Sequence, residues 1–420
     1  MIGVLRTNAA FRRYWMGQTV SIFGDQISRI GIPLIAVASL QAGATQMGVL
    51  SSAGQASLLI FGLLAGAWVD RVRRRRLLIG CDLARAVVIA TIPGAAALGE
   101  LSVPFLTAVA FAIGSLSVVF GTAIVAFLPS LSRPDELIEC NARLTQTVAV
   151  AQIAGPGLGG VIIETLTAPF AIVVDAISYL VSAAFLTRLG DVEEARSSTQ
   201  HRSVRASISE GVTYVRRQPL LRSSAGCAGT YNFFNAAILA LQVFYLSRTL
   251  GLRPTSLGLV LGAIGPGALL GAAVAVRMSG RCGVGRTMVG GLVLAGTANF
   301  GVAVVVGSGP VVVLTLMGAM FLNGLGQPLY NINQASLRQA VVPDVMRGRV
   351  TATLSVLAGG AGPVGALAAG GCAAMLGIRA TLIGAAAGTA LSCLWLLLSP
   401  IRALDVLPAP STVEPQALRN

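Results

Sequence analysis

The sequence predicts an all-α polytopic membrane protein in which twelve transmembrane helices form two pseudo-symmetric six-helix bundles. Composition, the placement of arginine and an internal repeat support this prediction. The 420 residues are 55% hydrophobic and only 11% charged, with a mean hydropathy of +0.79. A soluble domain carries about 25% charged residues. Because charge is costly in lipid, we expect most of the chain to lie within a bilayer.

Twelve segments are long enough to cross a bilayer, which takes about 20 mostly apolar residues. In chain order, these predicted spans 1 to 12 are residues 14–39, 46–69, 77–99, 102–128, 143–164, 168–188, 222–247, 255–277, 287–307, 310–334, 350–375 and 379–400. The predicted domains are an N-terminal bundle at 1–189, a cytoplasmic linker at 190–221, a C-terminal bundle at 222–400 and a disordered tail at 401–420.

The placement of arginine predicts the orientation of the chain. The chain has 30 basic residues, all of them arginine. Only Arg248, Arg253 and Arg379 fall in loops on one side, whereas most of the others flank the opposite ends of the spans. Cytoplasmic loops are enriched in Lys and Arg, so we expect both termini in the cytoplasm and the chain in the inner (plasma) membrane of a bacterium. The net charge of +14 does not indicate nucleic acid binding, because the arginines form short clusters between apolar runs.

The residue pattern argues against several other classes of protein. The six cysteines are dispersed without a CxxC pair, and the single histidine, His201, lies in a polar loop, so we expect no metal site. No Walker motif is visible, and no triad or acid–base carboxylate pair occurs in one helix neighbourhood. We therefore expect neither a cofactor nor an enzyme activity.

A glycine- and arginine-rich stretch follows span 2. It contains Gly66, Asp70, Arg71 and Arg74, with the glycine four residues before Asp-Arg and a basic run after it. This stretch resembles the loop between helices 2 and 3 of the major facilitator superfamily, although it has an arginine where the family usually has a glycine. The resemblance implies a conformational latch in which Asp70 docks near Arg349, at the start of span 11, and favours the outward-facing state. A charge cluster that only fixes topology is the alternative.

Two proline-containing spans relate the halves to each other. Gly155-Pro156 in span 5 recurs as Gly362-Pro363 in span 11, which is the internal repeat expected of many transporters. With Gly159 and Gly160, the span 5 motif resembles the glycine-proline motif of antiporters in the same superfamily, and we expect both helices to bend and pack closely there. Its match to a dinucleotide fingerprint is rejected, because a proline sits inside the supposed phosphate loop and no strand precedes it.

The segments 128–142, 209–222 and 342–350 resemble the macrolide- and enterobactin-exporter branch, the third drug:proton antiporter family. This resemblance implies export of small lipophilic or amphiphilic molecules in exchange for protons, through a midplane cavity open to each side in turn. We expect the transporter to be a monomer. A proton-coupled importer on the same scaffold, and a membrane enzyme or transport-inactive receptor, are the alternatives.

Five charged residues lie inside predicted spans, where an ionisable group costs several kcal/mol and rarely persists without a use. They are Asp25 and Arg29 in span 1, Asp82 and Arg85 in span 3, and Asp175 in span 6. Three acids and two bases leave one carboxylate without an obvious partner. We expect Asp25 to carry the coupling proton because span 1 lines the cavity in this fold, with a static Asp25–Arg29 pair as the alternative. The other three are predicted to be structural.

Polar stripes on spans 1, 7 and 10 predict the surface that contacts the cargo. The stripe residues are Gln18, Tyr231, Asn235, Gln242, Asn323, Gln327 and Asn331. Such residues must face protein or a water-filled cavity, so hydrogen bonding between helices is the alternative. In the linker, apolar residues from 204 to 215 recur at helical spacing, which predicts an amphipathic helix lying either on the membrane surface or against the bundle.

Overall fold

The computed structural model describes residues 3–69, 71–190, 204–406 and 408. Asp70, His201 and most of the predicted tail lie outside these described residues. The described part of the chain is helical, without a strand. Ten of its helices are long and apolar enough to cross a membrane, and two more, spans 2 and 7, have 26 residues each.

The first six spans are Ala9–Leu34, Ala44–Val69, Arg74–Leu98, Val103–Leu131, Leu137–Leu166 and Ala168–Thr187. The second six are Pro219–Phe244, Pro254–Gly262 continued as Ile264–Cys282, Val284–Val304, Pro310–Val341, Asp344–Leu376, and Ile378–Leu391 followed by Leu394–Leu397. Spans 1 and 7 each end in a π-helical turn, Ile35–Ser39 and Tyr245–Thr249. Short helices Gly3–Thr7, Val204–Arg217 and Pro400–Ala403 complete the described elements.

Local sequence explains where several spans begin and end. Asn8 caps span 1, where its side-chain oxygen accepts the Phe11 N–H at 2.9 Å. Ser102 precedes span 4, with a proline in the first helical turn. Gly99 ends span 3 in the left-handed region, at a φ of 72°, which a side chain with a Cβ rarely adopts.

The two halves repeat one packing pattern. In the first half, span 1 packs against spans 5 and 6, span 3 against spans 4 and 6, and span 2 against span 4. In the second half, span 7 packs against spans 11 and 12, span 9 against spans 10 and 12, and span 8 against span 10. The predicted fold of two pseudo-symmetric six-helix bundles is confirmed.

Glycine contacts join the halves, through span 2 against span 11 and span 5 against span 8. A methyl group at Gly258 of span 8 would overlap the carbonyl oxygen of Pro156, and one at Gly48 of span 2 would lie 2.6 Å from that of Ala366. Both contacts lie toward the side of the membrane opposite the Arg71–Arg76 loop. We call the side of that loop the arginine-rich side and the other the arginine-poor side.

The molecule is closed on the arginine-poor side. There the Arg248 side chain donates across the halves to the carbonyl oxygens of Gln41 and Ala42, both at 3.5 Å. Toward the arginine-rich side, no atom of the described residues lies within 4 Å of the Cβ position of Gly66 on span 2. The hydrogen bonds that the structure describes between the halves, from Thr45 to Gly370, from Thr255 to Glu164 and from Arg248, all lie on the arginine-poor side.

The linker helix, Val204–Arg217, lies against the bundle, which is one of the two predicted alternatives. Its Glu210 pairs with Arg349 at the start of span 11. Gly211 lies so close to Thr353 that a methyl group there would overlap the threonine hydroxyl. Val215, at 4% exposed, is buried in an apolar cluster with spans 7 and 9 to 12.

The predicted tail begins later than the sequence suggested. Residue Ile401 is fully buried, and the Gly285 N–H donates to the carbonyl oxygen of Leu404 at 3.0 Å. The segment through residue 405 is thus packed against the start of span 9. Apolar side chains on both sides of Arg402 explain the difference, because they add to the same buried cluster.

Candidate functional site

A polar stripe on span 6 faces span 1. Asp175, Ser178, Tyr179 and Ser182 follow one another at helical spacing and are all buried. Span 1 approaches this stripe through Gly24, where a methyl group would overlap the Ser178 hydroxyl and lie 2.6 Å from the Asp175 carboxyl oxygen. Because Gly24 has no side chain, the backbone of span 1 lies directly against the Asp175 carboxyl of span 6.

Asp25 is half-buried and accepts a hydrogen bond from the Tyr179 hydroxyl at 2.5 Å. Arg29, one turn later on span 1, is exposed, and no carboxylate of the described residues lies within ion-pair distance of it. The alternative of a static Asp25–Arg29 pair is thus not the arrangement in this conformation. Asp25 is held by a neutral hydroxyl instead of a cation.

Asp175 is fully buried and accepts hydrogen bonds from two serine hydroxyls. Ser28 of span 1 donates to one carboxyl oxygen, and Ser178 of its own helix donates to the other at 3.0 Å. The carboxyl therefore has partners from two helices, none of them charged.

Asp82 and Arg85 of span 3 form an ion pair, and their side chains are 0% and 3% exposed. The Arg85 guanidinium also lies over two rings, 3.9 Å from the centroid of Phe120 in span 4 and 4.4 Å from that of Tyr179. Such cation–π contacts stabilise a desolvated guanidinium. Asp82 Oδ2 and Arg85 Nε have no hydrogen-bond partner among the described residues.

These contacts bring Asp25, Asp82, Arg85, Asp175 and Tyr179 into one group between spans 1, 3 and 6, which we call the carboxyl cluster. The charged members of this cluster were predicted to have separate roles, and Tyr179 was not among the predicted site residues. The signal was present, because the span 6 stripe repeats at helical spacing on one face.

The C-terminal half has buried amides in place of charges. Asn323 of span 10 is 3% exposed, and its side-chain amide donates to the side-chain oxygen of Asn299 at 3.0 Å. The side-chain amide of Gln327 donates in turn to the side-chain oxygen of Asn323 at 2.8 Å. Gln242 is also buried and donates to the Met320 sulfur at 3.2 Å. We call Asn299, Asn323 and Gln327 the amide chain. For Asn323 and Gln242, hydrogen bonding between helices accounts for their contacts.

Two other predicted cargo residues lie inside their own halves. Gln18 of span 1 is buried and donates to the Ser182 hydroxyl at 3.1 Å. Tyr231 of span 7 is buried against Tyr330, with ring centroids 6.2 Å apart, and its hydroxyl has no partner among the described residues. Both side chains therefore pack within a six-helix bundle.

Span 1 carries its charged residues beside the contact with span 6. Gly24 contacts span 6, whereas Gln26 and Ile27 contact the glycines of span 5. Asp25 is half-buried and accepts from Tyr179 of span 6, and Arg29, one turn later, is exposed.

Three polar residues on spans 7 and 10 of the second half are at least partly exposed. On span 10, Gly324 contacts span 8 and Gly326 contacts span 9, so Gln327 and Asn331 lie on a face that neither helix covers. On span 7, the residues on either side of Asn235 contact spans 11 and 12. Gln327 and Asn235 are half-buried, and Asn331 is exposed.

One described residue of the predicted latch forms a hydrogen bond inside the first half. Arg74 donates to the carbonyl oxygen of Ala126, at the arginine-rich end of span 4, at 2.9 Å. Arg71 is exposed, and no atom of the described residues lies within 4 Å of the Cβ position of Gly66. Asp70 lies outside the described residues, so its docking near Arg349 stays a prediction.

The helix-bend glycines are sites of close contact between helices. Methyl groups at Gly155 and Gly160 would overlap Gln26 of span 1 and the carbonyl oxygen of Pro254 in span 8, and Gly159 lies against Ile27. In span 11, which also contains Pro363, a methyl group at Gly362 would lie 2.6 Å from the Gln55 side-chain oxygen.

Two pseudo-symmetric six-helix halves, joined by glycine contacts and carrying buried carboxyls on one side of the central space, define a transporter of the major facilitator fold. The family described as transmembrane secretion effector matches residues 4–418, and the chain belongs to this family. The family consists of membrane transporters rather than enzymes, and this chain is a multi-pass membrane protein.

Relatives from bacteria match most of the chain. The multidrug efflux pump Tap of Mycolicibacterium fortuitum is 28% identical over 371 residues, covering 86% of this chain and 88% of the relative. The pump Tap of Mycobacterium tuberculosis is 27% identical over 407 residues, covering 92% of each. The MFS-type transporter YfiS of Bacillus subtilis is 25% identical over 351 residues, covering 79% of each.

Solved structures share the fold at low identity. A mutant of the nucleoside transporter NupG superposes with a TM-score of 0.76 and 10% identity, covering 93% of this chain and 99% of that one. A bacterial homologue of the iron transporter ferroportin, in an inward-facing state, superposes with a TM-score of 0.71 and 14% identity, covering 93% and 98%. These likenesses concern the fold alone.

Proposed function

We propose that the chain is a secondary transporter that exports small lipophilic or amphiphilic molecules in exchange for protons. The observation that carries this proposal is the carboxyl cluster, in which half-buried Asp25 of span 1 accepts a hydrogen bond from Tyr179 of span 6. An ionisable group at that depth is expensive unless it is used. The name of the Tap relatives, multidrug efflux pump, supports export of this cargo class.

The orientation follows from the positive-inside rule. With the arginine-rich side in the cytoplasm, both termini are cytoplasmic, the chain lies in the bacterial inner membrane, and the conformation described above is inward-facing. Cargo then enters the space between the halves from the cytoplasm or the inner leaflet. The chain works as a monomer surrounded by lipid.

Cargo and protons can be exchanged if each favours a different direction of the same conformational change between the inward-open and outward-open states. Cargo binds the apolar walls and the uncovered amides Asn235, Gln327 and Asn331, and the loaded protein opens to the outside. A proton then reaches Asp25 from the opposite side and favours the return. Release of that proton to the cytoplasm resets the cycle.

Proton movement in acidified inverted vesicles tests this function. We expect a panel of lipophilic antibiotics and siderophores to collapse the pH gradient in vesicles with the native chain but not with Asp25→Asn. A collapse that persists in Asp25→Asn would keep the antiporter and remove Asp25 as the carrier. No collapse with any compound on a panel that the cells demonstrably export would contradict proton exchange.

A further inference from the structure

The carboxyls buried in the N-terminal half are not matched by cations. Asp82 is paired with Arg85, whereas Asp25 and Asp175 are bonded to hydroxyl groups. Arg29 is exposed and can be solvated from the central space. With all three carboxyls ionised, the cluster would hold two uncompensated negative charges in the membrane interior, which costs several kcal/mol.

Asp25 and Asp175 belong to one site because their hydrogen bonds cross between helices. Tyr179, one turn after Asp175 on span 6, donates to Asp25. Ser28, one turn after Asp25 on span 1, donates to Asp175. Gly24 allows this crossing, since the Asp175 carboxyl oxygen would lie 2.6 Å from a methyl group there. Each carboxyl is therefore held by the helix that carries the other.

Unpartnered polar atoms lie beside this site. Asp82 Oδ2 and Arg85 Nε are buried and have no hydrogen-bond partner among the described residues. A buried polar atom left without a partner costs about 1–3 kcal/mol, so native proteins retain few of them without a reason. A water molecule bound there could donate to Asp82 Oδ2 or accept from the Arg85 Nε–H group.

We propose that Asp175 is a second proton-binding carboxyl of this transporter and that it acts jointly with Asp25. The charged and titratable groups that face Asp175 are Asp25 from span 1, Arg85 from span 3 and Tyr179 from its own helix. Asp82 and Arg85 form the fixed ion pair, and protons from the central space bind the Asp25–Asp175 pair. This inference rests on the proposed proton exchange and adds the second site.

Infrared difference spectroscopy against pH tests the pair without any cargo. The full chain in lipid nanodiscs is titrated, and the carbonyl band of buried protonated carboxyls is followed for native protein, Asp25→Asn and Asp175→Asn. Two interacting groups share their titration steps, so each substitution is expected to remove about half of the band and to shift the pH midpoint of the remainder. Glu139→Gln is the matched control, because that partly exposed carboxyl, paired with Arg143, lies outside the cluster.

A band whose size and midpoint are the same in Asp175→Asn as in native protein would overturn the proposal. Tyr179→Phe keeps both carboxyls and removes the hydrogen bond from the helix of Asp175 to Asp25. This variant tests the connection between the two carboxyls even if Asp175→Asn fails to fold. We expect it to keep the band and shift its midpoint by about one pH unit, the equivalent of one charge-assisted hydrogen bond. An unshifted midpoint in Tyr179→Phe would contradict the joint site. Because no cargo is present, these results stand apart from the vesicle assay of export.

Discussion

The two halves share one helix packing but differ in the polar groups they bury. Between spans 1, 3 and 6 the N-terminal half holds Asp25, Asp82, Arg85 and Asp175. The C-terminal half instead holds the amide chain of spans 9 and 10. The internal repeat therefore conserves the scaffold and not the chemistry within it.

This difference separates two tasks. Carboxyls change charge when a proton binds, whereas an amide offers a donor and an acceptor that do not change with pH. We therefore expect the N-terminal half to respond to protons and the C-terminal half to recognise cargo. Four substitutions test this division, in order of expected effect.

The largest effect is expected from Asp82→Asn, which leaves the Arg85 guanidinium buried and unpaired. Breaking a buried ion pair in this way costs about 3–5 kcal/mol of stability. Thermal unfolding of purified protein measures the loss. Asn299→Ala in the amide chain is the comparison, with an expected cost of about 1 kcal/mol. Equal losses in the two variants would mean that the halves do not differ in the way described.

Gly258→Ala tests the contact that both halves share. The added methyl group overlaps the Pro156 carbonyl oxygen and should destabilise the closed arginine-poor side by about 1–3 kcal/mol. An export rate about tenfold lower is expected, since 1.36 kcal/mol corresponds to about a factor of ten. Gly290→Ala in span 9 is the control, because its Cβ position has no atom within 4 Å. Similar export by both variants would contradict the role of this contact.

Gln327→Leu should weaken cargo binding without changing its dependence on pH. It removes one amide from the uncovered face of span 10, worth about 1 kcal/mol, or about fivefold in affinity. Dye binding measured across a pH series separates the two effects. If Gln327→Leu changes the pH dependence of dye binding in the same way as Asp25→Asn, both halves take part in proton coupling.

The smallest effect is expected at the linker helix, whose main described contacts are with spans 7 and 11 of the C-terminal half. Glu210→Gln removes an ion pair whose side chains are 45% and 24% exposed, so the change should stay within about 1 kcal/mol. We expect a modest fall in the inward-facing fraction, measured by spin-label distances. The charge swap Glu210→Arg with Arg349→Glu should restore it, and failure of the swap would make the effect independent of the pair.

The fold could be predicted from the sequence because hydropathy and arginine placement act over whole spans. Helix ends were less predictable. Span 5 was expected at 143–164 and runs Leu137–Leu166, and span 10 was expected to end at 334 and ends at Val341. Hydropathy detects only the part of a helix in lipid, whereas the backbone stays helical as it leaves the membrane.

The site was predicted in part. Its charged residues were found because ionisable groups stand out within apolar spans. Their grouping was not found, since it depends on Gly24 bringing span 1 against span 6 and on Tyr179 reaching across to Asp25. A single sequence shows which residues share a helix face but not which helix that face meets.

The most direct test of the division between the halves is the conformational response to pH. Spin labels at Arg133→Cys and Gln339→Cys, on the arginine-rich ends of the two halves, report the opening in a background without the native cysteines. We expect the distance distribution to change with pH in otherwise native protein and in Gln327→Leu, but not in Asp25→Asn. A pH response that persists in Asp25→Asn and disappears in Gln327→Leu would contradict the account.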